Sequence, residues 1–135
     1  MTTVYRTRPE RLRLAGETAA SITIVIPFPE SALFPNRSNG KHWATRQQAK
    51  KSARLAAFAL TPRIELDTQA DHALTITVAP PDKRRRDVDG ILSALKPSID
   101  GIAQALQIDD TRFNPIEIER VAPVEGGQVR IVIKR

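Results

Sequence analysis

Cysteine is absent from the 135 residues. This excludes disulfides, thiolate metal sites and thiol nucleophiles, and it fits a reducing compartment. Aromatic residues are scarce, at 4% of the chain, so Ile, Val, Leu and Ala must build the core. No apolar run reaches the ~18 residues that a membrane helix needs. The opening MTTVYRTRPERLRLAGETAAS holds no apolar stretch long enough for a secretory signal. A cytoplasmic protein without a membrane partner is the expectation. Glycine-rich nucleotide motifs are missing too. Gly16, Gly40, Gly90, Gly101, Gly126 and Gly127 satisfy neither the P-loop nor the dinucleotide fingerprint, so no nucleotide cofactor is expected. His42 and His72 are the two histidines and lie far apart, which argues against a His-centred zinc site. His42 reads as a phosphate contact at a helix start, His72 as a surface residue at a strand edge.

What remains is a basic chain of single-domain size, with 41% apolar and 27% charged residues. A chain this long buries roughly 68% of its unfolded surface, enough for a substantial core. Lys plus Arg number 21 against 15 for Asp plus Glu, a formal net charge of +6. A small basic domain attracts polyanions, nucleic acid above all, although many basic domains are merely soluble. The charge is unevenly placed. Asp82, Asp87, Asp89, Asp100, Asp109 and Asp110 crowd the 31 residues from Asp82 to Arg112, a window that also holds Lys83, Arg84, Arg85 and Arg86.

Residues 1–20 mix arginines with small and polar residues and read as a flexible basic arm. Residues 21–135 read as the folded domain. Ser21–Ile26 alternates apolar and other residues and stops at Pro27, as a strand does. A loop rich in Pro, Asn, Ser and Gly follows. His42–Leu60 runs without Gly or Pro and predicts a helix with Arg46, Lys50, Lys51 and Arg54 at helical spacing. His72–Ala79 is a second strand. Ile91–Ile108 has helical spacing but contains Pro97, so the main helix is expected to begin near Pro97 after a short turn. Pro115–Ala122 and Gln128–Lys134 predict two closing strands, joined as a hairpin around Glu125-Gly126-Gly127. The order β-α-β-α-β-β makes this an α+β chain.

Clustered aspartates suit a hard divalent cation, which takes few carboxylates and completes its shell with water and substrate phosphate. Metal-dependent phosphodiesterases need such clusters. Neither Asp87-Val88-Asp89 nor Asp109-Asp110 is specific alone, since about half a match to each arises by chance. The two pairs flank one helical segment, and they meet only if the turn before Pro97 and the strand order bring them to one edge. Lys83–Arg86 beside them would offset their repulsion of a polyanion. A solvated charged loop is the plainer alternative.

The order of these motifs adds a resemblance. PDKRRRDVDGILSALKPSIDG, then Ile108-Asp109-Asp110, then PVEGGQVRIVI resembles the RusA family of Holliday junction resolvases. ITIVIPFPES and PNRSNGKHW are similar, more loosely, to the family's first strand, Pro-rich loop and Asn/basic loop. The likeness spans about residues 21 to 134. It implies a single mixed sheet packed with two main helices, and a homodimeric Mg²⁺-dependent endonuclease, with Mn²⁺ as a substitute. Such enzymes cut four-way DNA junctions symmetrically in recombination and repair and are common in bacteria and their phages. By the resemblance Asp87, Asp89 and Asp110 are the metal-binding catalytic acids and Asp109 supports them. Lys83, Arg84, Arg85, Arg86, Arg37 and Lys41 are the DNA-binding cations. Gly90 stands where the family usually has Asn, and Ser93 where it has a catalytic lysine. Lys96, four residues before Asp100, restores the family spacing with three residues inserted, and on a continuous helix it faces the same side. Two further expectations stand beside this one: a non-catalytic basic DNA- or RNA-binding module, and a nuclease preferring other branched or single-stranded DNA.

Overall fold

The computed structural model describes residues 21–35 and 43–135. The basic arm, Arg37, Lys41 and His42 lie outside the described residues. Four strands form one mixed sheet in the order β1 (Ser21–Ile26), β4 (Gln128–Lys134), β2 (His72–Ala79), β3 (Phe113–Arg120). β4 runs antiparallel to both β1 and β2, while β2 and β3 are parallel. Helix α1 (Trp43–Leu60) precedes β2, and α2 (Val88–Leu106) is the crossover from β2 to β3. The α+β class and the element order agree with the sequence reading.

Period-two patterning explains the sheet. Ile22, Ile24 and Ile26 of β1, Leu74, Ile76 and Val78 of β2, and Val129, Ile131 and Ile133 of β4 point to one face and are buried. On that face lie Ile91, Leu95, Ile99, Ile102 and Leu106 of α2. From α1 only Ala57 joins this core. That helix rests on α2 instead, at a crossing so close that a Cβ on Gly101 would stand 2.2 Å from the Arg54 carbonyl oxygen.

Four expectations are corrected. The helix does not wait for Pro97. It starts at Val88 and continues through the proline to Leu106. Proline in a helix interior costs ~3 kcal/mol, but each fully buried side chain on the inner face of α2 returns roughly 1.5–3 kcal/mol. Burial of five such residues outweighs the lost hydrogen bond, and the freed carbonyl belongs to exposed Ser93. The predicted hairpin is also absent. Gly126 and Gly127 do turn the chain, at φ 79° and 75°, yet β2 lies between β3 and β4, so the two do not pair. The Val121 amide bonds to the Val78 carbonyl at 2.9 Å and the Val124 amide to the Pro80 carbonyl at 3.0 Å. Residues 121–124 therefore follow the end of β2 before the chain turns into β4. β3 itself starts two residues earlier than expected, at Phe113, and ends at Arg120. With Pro115, Glu117 and Glu119 it suits an edge strand, whereas apolar β4 suits the centre. Finally, His72 is buried, at 2% exposure, not a surface residue. Its Nδ1 lies 2.9 Å from the Lys134 carbonyl and its Nε2 2.9 Å from the Asp67 carbonyl, tying the loop before β2 to the end of β4.

Candidate nucleic-acid interface and acidic site

The basic run Lys83–Arg86 fills the connection between β2 and α2, and Asp82 organises it. Its carboxylate accepts from the Arg84 amide at 2.9 Å and pairs with Arg86 at 3.0 Å. The Arg84 amide, then the Arg86 side chain, hold the Asp82 carboxyl below its ordinary value of 3.8. Arg86 is further fixed by donating to the carbonyls of Asp82 and Arg84, and its own carbonyl accepts from Arg120 at 2.6 Å. Its guanidinium lies 5.1 Å from the centre of the Phe28 ring. Arg86 is thus a brace inside the loop, while Lys83, Arg84 and Arg85 are exposed. Asp82 was not singled out from sequence. Its signal was the spacing of four to Arg86, which brings opposite charges together.

Asp87 and Asp89 come directly after this loop. Asp87 is the N-cap of α2, and its Oδ1 accepts from the Gly90 amide at 2.9 Å. A carboxylate there satisfies an orphan amide and meets the positive end of the helix dipole. Gly90 keeps this contact open, because a Cβ there would lie 2.8 Å from that same oxygen. Asp89 is exposed in the first turn and has no ionic partner among the described residues.

Asp110 stands at the other end of the crossover, in a 3-10 turn (Asp110–Arg112) before β3. Its Oδ2 accepts from Lys96 Nζ, which also donates to Asp100 Oδ1 at 2.7 Å. These bonds, Asp100 first and Asp110 second, raise the Lys96 pKa above 10.5. Asp89, Lys96 and Asp100 follow one stripe of α2, because offsets of seven and eleven residues fall within ~20° of whole turns. Asp100 had only its family spacing to recommend it, and the i,i+4 pair with Lys96 is its physical signal. Asp109 caps the 3-10 turn by accepting from the Thr111 amide and hydroxyl, both at 2.9 Å. Those bonds hold its carboxyl below 3.8.

The structure therefore gathers Lys96, Asp100 and Asp110, and separately places Asp87 and Asp89 beside the basic loop. The rise along α2 sets Asp89 and Lys96 roughly 10 Å apart. No three His, Asp or Glu side chains converge as a metal cage among the described residues. Magnesium does not need one, since one or two carboxylates plus water and substrate phosphates suffice. Asp87 and Asp89 fit that requirement, being exposed oxygen donors next to the exposed Lys83, Arg84 and Arg85, of which Arg84 also pairs with Asp82 at 3.6 Å.

A four-stranded mixed sheet with an acid-bearing crossover helix behind a basic loop defines the class of this small α+β protein. No model of a protein family matches the chain. It is 36% identical over 118 residues to an uncharacterized protein of Xylella fastidiosa, covering 82% of this chain and 74% of that one. It is also 32% identical over 111 residues to the crossover junction endodeoxyribonuclease rusA of Enterobacteria phage HK97, covering 81% of this chain and 90% of that enzyme. The chain belongs to the RusA family. No described helix is long and apolar enough to cross a membrane.

Proposed function

We propose that this chain is a divalent-metal-dependent endonuclease that resolves four-way DNA junctions as a homodimer. The observation that carries it is the acid pair Asp87 and Asp89 opening α2 directly behind exposed Lys83, Arg84 and Arg85, in a chain of this family. The three cations take backbone phosphates and draw the DNA onto the carboxylates. Asp87 and Asp89 would hold Mg²⁺, or Mn²⁺ in its place, from a helix start that fixes their backbone. A bound cation would supply a polarised water and charge stabilisation at the scissile phosphate. Lys96 keeps a protonated ammonium between Asp100 and Asp110, where it offsets negative charge along the same stripe of α2. Two copies related by a two-fold axis would present equal sites to the two strands of a symmetric junction.

One observation favours a second reading. Asp110 is engaged with Lys96 and stands apart from Asp87 and Asp89, as in a module that binds branched DNA without cutting it. A labelled four-way junction, a matched duplex and a flap, each incubated with and without Mg²⁺, separate the two. Paired symmetric cuts in the junction alone, only with Mg²⁺, are the expected result. Binding indifferent to Mg²⁺ and without nicking overturns the nuclease proposal, and preference for the flap changes its substrate.

A further inference from the structure

A cavity of about 490 Å³ opens between the loop after β1 and the basic loop before α2. Its apolar wall is Phe28 and Phe34, whose ring centroids lie 5.8 Å apart with planes inclined by 25°. Pro29, Pro35 and Pro81 also line it. Rings and prolines lose little conformational freedom when a ligand settles on them, so this wall is already organised. Arg84 and Arg85 stand at the rim, and Asp87 lines the same cavity. Arg86 closes one side and stays there, since Asp82 and two carbonyls hold its guanidinium. Flat apolar surface beside exposed guanidinium groups matches a ligand with a planar body and anionic neighbours. A nucleotide within a DNA strand has that chemistry. Arg86 stands over Phe28 at 5.1 Å much as Arg63 stands over Phe58 at 4.1 Å, so within the cavity Phe34 is the ring with no guanidinium over it among the described residues.

We propose that this cavity receives one unstacked base of the DNA, laid against the Phe34 ring that Phe28 backs, with the adjoining phosphates on Arg84 and Arg85. Docking the base would decide which backbone position comes beside Asp87, so Phe34 acts as a specificity-determining residue and Phe28 supports it. A branch point is the favourable donor of such a base, since its stack is already interrupted there, whereas a continuous duplex must first be unstacked. The substrate half of this inference rests on the nuclease proposal, but the pocket itself is testable without cleavage.

The test compares two probes without metal: a short thymidine oligonucleotide and an abasic strand with the same number of phosphates. Stacking on an aromatic side chain makes the thymidine strand bind roughly 5- to 150-fold more tightly. Phe34→Leu, which keeps an apolar side chain but has no ring face, should bring the ratio close to one. Phe34→Tyr should preserve it. Equal affinity of the unmodified protein for both strands overturns the pocket, whatever the variants do. An unchanged ratio in a folded Phe34→Leu protein also overturns it. Cleavage of the four-way junction is scored separately. A protein that discriminates the strands but never cuts keeps the pocket and loses the nuclease proposal, and the converse result sinks only the pocket.

Discussion

Lys96 links two carboxylates of different origin, one a turn further along its own helix and one beyond the helix end. Its pKa is raised, so the stabilisation it provides is complete below 10.5 and fades as pH climbs through the raised value. Lys96→Met should therefore flatten the loss of stability on the alkaline side, read from thermal midpoints across pH. In the cleavage assay the same variant should lower kcat about 100-fold, the usual cost of one charge-stabilising group, with KM less affected. Asp87 is the N-cap of α2 and, in the proposed function, also an acid of the site, and substitution can separate the two. Asp87→Asn keeps an N-cap oxygen and should melt with the parent while losing cleavage and retaining junction binding. Asp87→Ala loses the cap as well and should cost a further 0.5–2 kcal/mol or so of unfolding free energy. Equal cleavage by Asp87→Asn and the parent would remove Asp87 from the site.

At the scale of elements, β1, β2 and β4 were legible to the residue because alternating β-branched residues leave little choice of face. α2 was misread because the penalty of Pro97 is local and visible, while the burial that overrides it is not. Pro97→Ala restores an amide to the Ser93 carbonyl and should stabilise the protein by about 1–3 kcal/mol, measured by denaturant unfolding. No gain would mean that the helix has already adapted around the proline. The hairpin was misread for a related reason. Two glycines announce a turn but not the strand on which the chain lands. Pro115 was the overlooked signal, since a proline inside a strand marks an edge.

Taken as a whole molecule, the chain places exposed Lys83, Arg84 and Arg85 together on the loop before the start of α2. With Arg86 directed inward, the proposed function leaves Lys83, Arg85 and Arg84, the last also paired with Asp82 at 3.6 Å, to meet phosphates, and each would contribute about 0.9 to the slope of log affinity against log salt. Replacing Lys83, Arg84 and Arg85 by Ala should flatten that slope by roughly 2.7, as measured by junction binding over a salt series. Adding Arg86→Ala should leave the slope nearly unchanged and lower the melting temperature instead. A slope that ignores all four positions would put the DNA on another surface.

Composition, the strand faces and the order of acidic and basic motifs were set by local chemistry, and the sequence alone disclosed them. Burial, register and charge pairing are different in kind, because each depends on segments distant along the chain. Only the tertiary structure carried α2 through Pro97, set β4 between β1 and β2, turned Arg86 inward and drew Asp110 to Lys96. The same crossover left Asp87 and Asp89 beside the cations and Asp110 beside Lys96, since a continuous helix sets Lys96 two turns beyond Asp89, roughly 10 Å along the axis.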